Sequence, residues 1–145
     1  MAERTLLIIK PDGTRRGLAD KIFKRVEAAG FKILKKRKLE LSNELAERLY
    51  AVHKGKVFFL PLMEFVTSGP IEAAVVEAED AITKMRDLIG PTLPSEAPKG
   101  TIRGDLRGER DRAESGVIEN VVHASDSIEN AKYEIELIFG KEWIK

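Results

Sequence analysis

The chain contains no cysteine, which excludes a disulfide framework and any thiolate metal site. It has only two histidines, His53 and His123, too few for a zinc centre of the usual kind. Glutamine is missing and asparagine occurs only at 43, 120 and 130, while charged residues make up 34 %, against about 25 % in an average domain. Scarce thermolabile amides and abundant charge are the balance of heat-adapted proteins. A melting midpoint above the roughly 45–65 °C range of mesophile domains is therefore expected, and calorimetry giving a midpoint inside that range would refute it. Neither sign of charge is in excess, with 25 Lys+Arg against 24 Asp+Glu. Such a balance gives no support to strong nucleic-acid binding or to adhesion to an acidic membrane. No apolar run is long enough to cross a bilayer. Glu3, Arg4 and Lys10 break up the early apolar stretch, so no signal peptide is expected and a cytoplasmic protein is. There is no G-x-x-x-x-G-K-[ST] loop, no G-x-G-x-x-G and no nucleophile elbow.

What is present reads as one domain over 1–145, long enough to bury a core. Thr5-Leu6-Leu7-Ile8-Ile9 is an aliphatic, β-branched run, a central strand buried on both faces. Lys10-Pro11-Asp12-Gly13 ends it with turn chemistry and leaves Lys10 at the strand end. Leu18, Ile22, Val26 and Ala29 mark an amphipathic helix closed by Gly30. Phe31, Ile33 and residues 37–41 give a second strand. Its run Lys35, Lys36, Arg37, Lys38 fits the exposed face of an edge strand better than an anion site. Ser42 is an N-cap for a helix with Leu45, Leu49 and Val52 inward; Tyr50 lies off that stripe, towards a cleft, and His53 reads as surface.

A short helix over 58–66, a Ser68-Gly69-Pro70 turn and a buried third strand over 71–78 follow. Asp80 caps a helix with Ile82, Met85 and Leu88 inward, stopped by Gly90-Pro91. From about 90 to 116 periodicity vanishes, and so long a loop in a compact chain is usually functional or disordered. It carries Thr92, Arg103, Arg107, Arg110 and Arg112. Asn120-Val121-Val122-His123 then reads as a strand ending in a histidine. Asp126 and Glu129 resemble a capping box ahead of a last helix with Ile128, Ala131, Ile135 and Ile138 inward. Four strands in this order predict an α+β chain: a ferredoxin-like, antiparallel four-stranded sheet (split βαβ) with helices packed on one face. A parallel doubly wound sheet fits less well, because two helices stand between the second and third strands.

The candidate chemistry is one histidine near cations that can converge, Lys10, Arg86 and Arg103. Imidazole offers a nucleophilic nitrogen near neutral pH, and fixed cations stabilise a transferring phosphoryl group. Glu134 is placed to orient the ring. Lys10-Pro11-Asp12-Gly13, Ser68-Gly69-Pro70, Gly90-Pro91-Thr92, Gly100-Thr101-Ile102-Arg103-Gly104-Asp105 and Asn120-x-x-His123-Ala124-Ser125-Asp126-Ser127 occur in one order along nearly the whole chain. Together they make it resemble the nucleoside diphosphate kinases.

The resemblance implies a ping-pong reaction. A nucleoside triphosphate, typically ATP, gives its γ-phosphate to His123, and a nucleoside diphosphate takes it. It implies that Phe58 stacks on the base with Leu62 beside it, that Lys10 and Asn120 hold the ribose, and that Arg86, Thr92 and Arg103 hold the phosphates. Glu134 would orient His123, with Tyr50 and Ser125 near the ring. Mg²⁺ would arrive with the nucleotide, no residue of the chain being a dedicated metal ligand. A homo-oligomer, hexamer rather than tetramer, is implied too. The chain departs from the family between Asp105 and Asn120, where 14 residues stand, several more than usual, the extra charged segment running from Arg107 to Gly116. Leu106 replaces a usual aromatic, Ile118-Glu119 stand where Gly-Arg is common, and the tail after Phe139 is short. Two other readings are a non-catalytic nucleotide-binding module, which has no need of a nucleophile among cations, and a nucleic-acid binder using the basic second strand.

Overall fold

The computed structural model of the chain describes residues 2–108, 112 and 116–144. Strands β1 (Ala2–Ile9), β2 (Lys32–Leu39), β3 (Ile71–Glu79) and β4 (Val122–Ala124) form one sheet in the order β2-β3-β1-β4. Every neighbouring pair is antiparallel. This is the split βαβ arrangement expected from the element order. β1 is central, and its register sets Leu6 opposite Val75 and Ile8 opposite His123.

Side chains alternate along a strand. Leu6 and Ile8 therefore enter one apolar cluster, and Leu7 and Ile9 another. Helices α2 (Ala19–Ala28) and α5 (Ala81–Ile89) cover the Leu7/Ile9 face, burying Ile22, Phe23, Val26, Met85 and Ile89. Helices α3 (Asn43–Leu49), α4 (Phe59–Val66) and α7 (Ile128–Phe139) cover the Leu6/Ile8 face with Leu49, Leu62, Met63, Val66, Ile135 and Ile138. The expectation of helices on one face is thus corrected. β1 is apolar on both sides, and a sheet apolar on both sides needs two layers of cover. The basic run of β2 lies on an edge strand, as expected. Among the described residues no helix is long and apolar enough to cross a membrane.

The ends or faces of four helices differ from expectation. Val52 is 71 % exposed, not buried: α3 stops at Leu49, and the 3₁₀ turn Ala51–His53 turns Val52 outward while Tyr50 goes inward. Ile128 is 52 % exposed because α7 is capped by Ser127, whose Oγ accepts from the Asn130 N–H at 3.0 Å. Asp126 does not cap the backbone; it binds the Asn130 side chain instead. Asp80 precedes α5 with a left-handed φ of 50° and makes no side-chain cap bond. Ala29 and Leu88 also lie off their helices' fully buried faces, which Phe23 and Ile89 take instead.

The aperiodic stretch after residue 90 is not wholly irregular. It holds the 3₁₀ turn Pro94–Glu96 and a one-turn helix, α6 (Ile102–Asp105), ahead of β4. Thr101 caps α6, its Oγ1 accepting from the Gly104 N–H at 3.0 Å. A side chain at Gly104 would collide with the Pro98 carbonyl oxygen, so only glycine lets this turn pack there. Of the charged segment, residues 109–111 and 113–115 lie outside the described residues, Arg110 among them. The turn expected after β1 is one short helical turn, α1 (Pro11–Arg15).

Candidate active site

The site is organised by the bend ahead of β4. In a regular strand, residues 120 and 123 would face opposite sides, three positions being an odd step. Val121 breaks the alternation. Its φ is 73°, and the Val122 N–H donates to the Asn120 carbonyl at 2.7 Å, closing a γ-turn. Asn120 and His123 consequently line the same cleft. A β-branched residue in the left-handed region costs about 1–3 kcal/mol and persists only where its surroundings impose it.

They do so here from three sides. The Lys10 N–H donates to the Val121 carbonyl at 2.8 Å. The Val121 N–H donates to Asp12 Oδ2 at 3.0 Å. Arg103 straddles the turn, Nε donating to the Asn120 carbonyl at 3.2 Å and Nη2 to that of Val122 at 2.8 Å, while Nη1 reaches the Gly90 carbonyl at 2.9 Å.

One end of the cleft is cationic. Lys10 Nζ, at the end of β1, donates to Asn120 Oδ1 at 2.8 Å, and Asn120 Nδ2 donates to the Thr92 carbonyl at 3.0 Å. Burial lowers the Lys10 ammonium to about 8, with Asp12 opposing that shift and Arg103 adding to it. Burial and the neighbouring Arg86 lower Arg103 to about 10. Cations so dehydrated gain from any anion that enters. Arg86 is exposed in the last turn of α5 and faces the cleft, as does Thr92.

The other end is aromatic. Phe58, 42 % exposed at the head of α4, lies 5.3 Å from the His53 ring, which stacks on Tyr50 at 6.4 Å. Tyr50 meets His123 edge-on at 5.6 Å, and burial with the nearby Glu134 carboxylate raises its phenol well above the usual range, so the hydroxyl stays protonated. His53 was read as surface. It is half-buried in the cleft wall, its imidazole lowered by burial and by Lys56, because the 3₁₀ turn after α3 points it inward.

Between the two ends sits His123. Nε2 lies 2.8 Å from Glu134 Oε1, and the same oxygen accepts from Ser125 Oγ at 2.8 Å. Glu134 is buried on the inner face of α7, about two turns past the Ser127 cap. With Nε2 so engaged, Nδ1 is the ring nitrogen without a partner among the described residues. The cleft encloses about 450 Å³, within the usual range for a small-molecule site.

All eight residues singled out in the sequence, Lys10, Phe58, Arg86, Thr92, Arg103, Asn120, His123 and Glu134, line this one cleft. Leu62 and Tyr50 line it too. Asp12 was missed as a site residue. Its turn motif was visible, but its reach to residue 121 was not. The 112–118 segment also contributes to the wall, through Arg112, Gly116, Val117 and Ile118.

The family model for nucleoside diphosphate kinase matches residues 3–144. The chain belongs to this family. It is 52 % identical to the nucleoside diphosphate kinase of Staphylothermus marinus over 142 residues, 98 % of this chain and 96 % of that one. Its fold superposes on the nucleoside diphosphate kinase of Aquifex aeolicus with a TM-score of 0.88 and 41 % identity, over the full length of both chains. The kinase of Halobacterium salinarum, solved in complex with CDP, gives 0.88 and 38 %, covering all of this chain and 92 % of that one. As a nucleoside diphosphate kinase, the chain is a phosphotransferase acting on nucleotides. It moves the γ-phosphate of a nucleoside triphosphate to a nucleoside diphosphate by a ping-pong route through phosphohistidine, and so maintains nucleoside triphosphate pools.

Proposed function

We propose that His123 is the phosphate carrier of this kinase, with Nδ1 as the attacking atom. The observation that carries this reading is the Glu134 contact at Nε2, which leaves Nδ1 as the ring nitrogen without a partner among the described residues of a cleft that Lys10, Arg86 and Arg103 also line. Nδ1 attacks the γ-phosphorus, the bond from that phosphorus to the β–γ bridging oxygen breaks, and the nucleoside diphosphate leaves with the negative charge. The positive charge gained by the ring is met by Glu134 through the Nε2–H, which Ser125 helps hold in place. A β-phosphate oxygen of the acceptor diphosphate then takes the phosphoryl group by the reverse displacement.

Phe58 stacks on the base, a contact every base can make. Lys10 and Asn120 hold the ribose, and Arg86, Thr92 and Arg103 hold the phosphates. Arg103 spends three of its five N–H donors on backbone carbonyls, which leaves two for a phosphate oxygen.

Mg²⁺ belongs to the proposal as well. Among the described residues no cluster of three or more His, Asp or Glu could hold a metal. Glu134 is already engaged by His123 and Ser125. The donor set therefore fits an ion carried by the nucleotide's own phosphates, where it would neutralise charge between the β and γ groups. The family resemblance further supports a homo-oligomer, a hexamer rather than a tetramer, acting in the cytoplasm; light scattering giving a mass other than six chains would revise that number.

Incubation with γ-labelled ATP and Mg²⁺, without acceptor, tests the carrier. The protein should take up label that is lost in acid, survives base and passes to any added nucleoside diphosphate. No label, or an acid-stable one, would overturn the assignment.

Lys10 gives a pH signature. With the ammonium at about 8, Lys10 is charged below that pH and neutral above it. Nucleotide affinity should therefore weaken as pH rises from 7.5 to 9.5, by up to about tenfold per unit, and Lys10→Met should flatten the slope. Calorimetric titrations showing equal slopes in the two proteins would refute the role.

A further inference from the structure

We infer that Asp12 is a positioning residue for phosphoryl transfer, holding Val121 in its γ-turn so that Asn120 and His123 face one cleft. The inference rests on the reading of His123 as the phosphate carrier. Asp12 does not line the cleft. It is 5 % exposed, in the turn after β1, and its Oδ2 accepts the Val121 N–H at 3.0 Å across 109 positions of chain. Oδ1 is buried and accepts no hydrogen bond among the described residues. A carboxylate so placed is costly to bury, and its defined directional contact is the one to Val121.

The turn needs such a holder. Valine at φ 73° is strained on its own backbone, and its side chain is fully buried. The turn's carbonyls are covered by the Lys10 N–H and by Arg103, but its central N–H has Asp12 alone. The neighbouring glycine keeps the turn close: a Cβ at Gly13 would stand 2.8 Å from Ile9 and 3.0 Å from a Val121 methyl, leaving no room for one. Pro11-Asp12-Gly13 thus acts as a unit, with proline starting the helical turn, glycine permitting contact and aspartate making the bond. If the bond is lost, Val121 relaxes towards extended backbone. The strand alternation that it interrupts then returns, and residue 120 or 123 turns away from the cleft.

The test is a cycle on phosphoenzyme formation, measured by single-turnover labelling at saturating ATP, with circular dichroism and melting to confirm folding. Asp12→Ala should slow labelling by about 100-fold, the scale of a misplacement of roughly 1 Å. Asp12→Asn keeps volume and an acceptor oxygen and should stay within about tenfold of the wild type. The double variant Asp12→Ala/Val121→Gly should label at least about tenfold faster than Asp12→Ala, because glycine takes positive φ freely. A residue that merely stabilised the fold would not be rescued by a glycine, which itself opens a cavity.

Wild-type labelling rates in Asp12→Ala, or a double variant no faster than the single one, would overturn the inference. So would an Asn variant as slow as the Ala one, since charge rather than the bond would then be the role. If Asp12→Ala does not fold, the near-isosteric Asn variant decides alone: labelling within tenfold of the wild type supports the bond, and a 100-fold loss overturns it. Failure of the wild type itself to label would instead overturn the assignment of His123.

Discussion

His123→Ala is expected to abolish phosphoryl transfer while leaving nucleotide binding within about threefold. The loss should be on the order of 10⁴–10⁶ in kcat, the scale seen when a nucleophile is removed from an otherwise intact site. Binding should survive because His123 is not among the groups proposed to hold base, ribose or phosphates. Folding should survive as well. The His123 side chain is about one-fifth exposed on a sheet edge, and Glu134 keeps Ser125 as a partner when the ring is gone. Coupled assay and ADP titration on one preparation separate the outcomes. Residual transfer above a hundredth of wild type would place the nucleophile elsewhere.

Arg103→Ala should lose about 2–4 kcal/mol of transition-state stabilisation, or roughly 30- to 1000-fold in kcat/KM. It should also melt lower. Three backbone carbonyls, of Gly90, Asn120 and Val122, lose their side-chain donor together; that of Asn120 keeps the Val122 N–H, and a buried acceptor that no other donor serves costs about 1–3 kcal/mol. Arg103→Lys should recover little of either, because one ammonium cannot reach three carbonyls and still face a phosphate. Kinetics and thermal melts on the pair would show this. A lysine variant with wild-type kcat/KM would mean that charge alone matters and that the clamp on the turn is incidental.

The sequence made the architecture and the roster of the cleft legible, for different reasons. β1 was visible because its aliphatic run is continuous, and β3 for the same cause. Their pairing followed from element order. The site residues were legible through short motifs whose order along the chain is specific. Helix ends were less so. Val52 continued an apolar period past the point where Leu49 ends α3, and Ile128 fell on the apolar stripe of α7 although it is that helix's first residue after the Ser127 cap; periodicity carries no marker for such ends.

The cleft's long-range bonds could not be read at all. Nothing in Asn120-Val121-Val122 signals a positive φ at a valine, since that strain is imposed by Asp12, Lys10 and Arg103 from distant segments. His53 was misread for a related reason: a histidine after a helix end looks exposed until the turn that follows is known to point it inward. The aperiodic stretch hid α6 because one helical turn is shorter than any period. Its Thr101 cap and the close-packed Gly104 were the available signals.

The measurement that tests the account most directly is the position of the phosphate on the trapped phosphoenzyme. Base hydrolysis or ³¹P NMR of the ATP-treated protein distinguishes the two phosphohistidine isomers, and peptide mapping locates the residue. The geometry predicts a single phosphate on Nδ1 of His123, because Glu134 occupies Nε2. A phosphate on Nε2, on His53 or on a hydroxyl would contradict it.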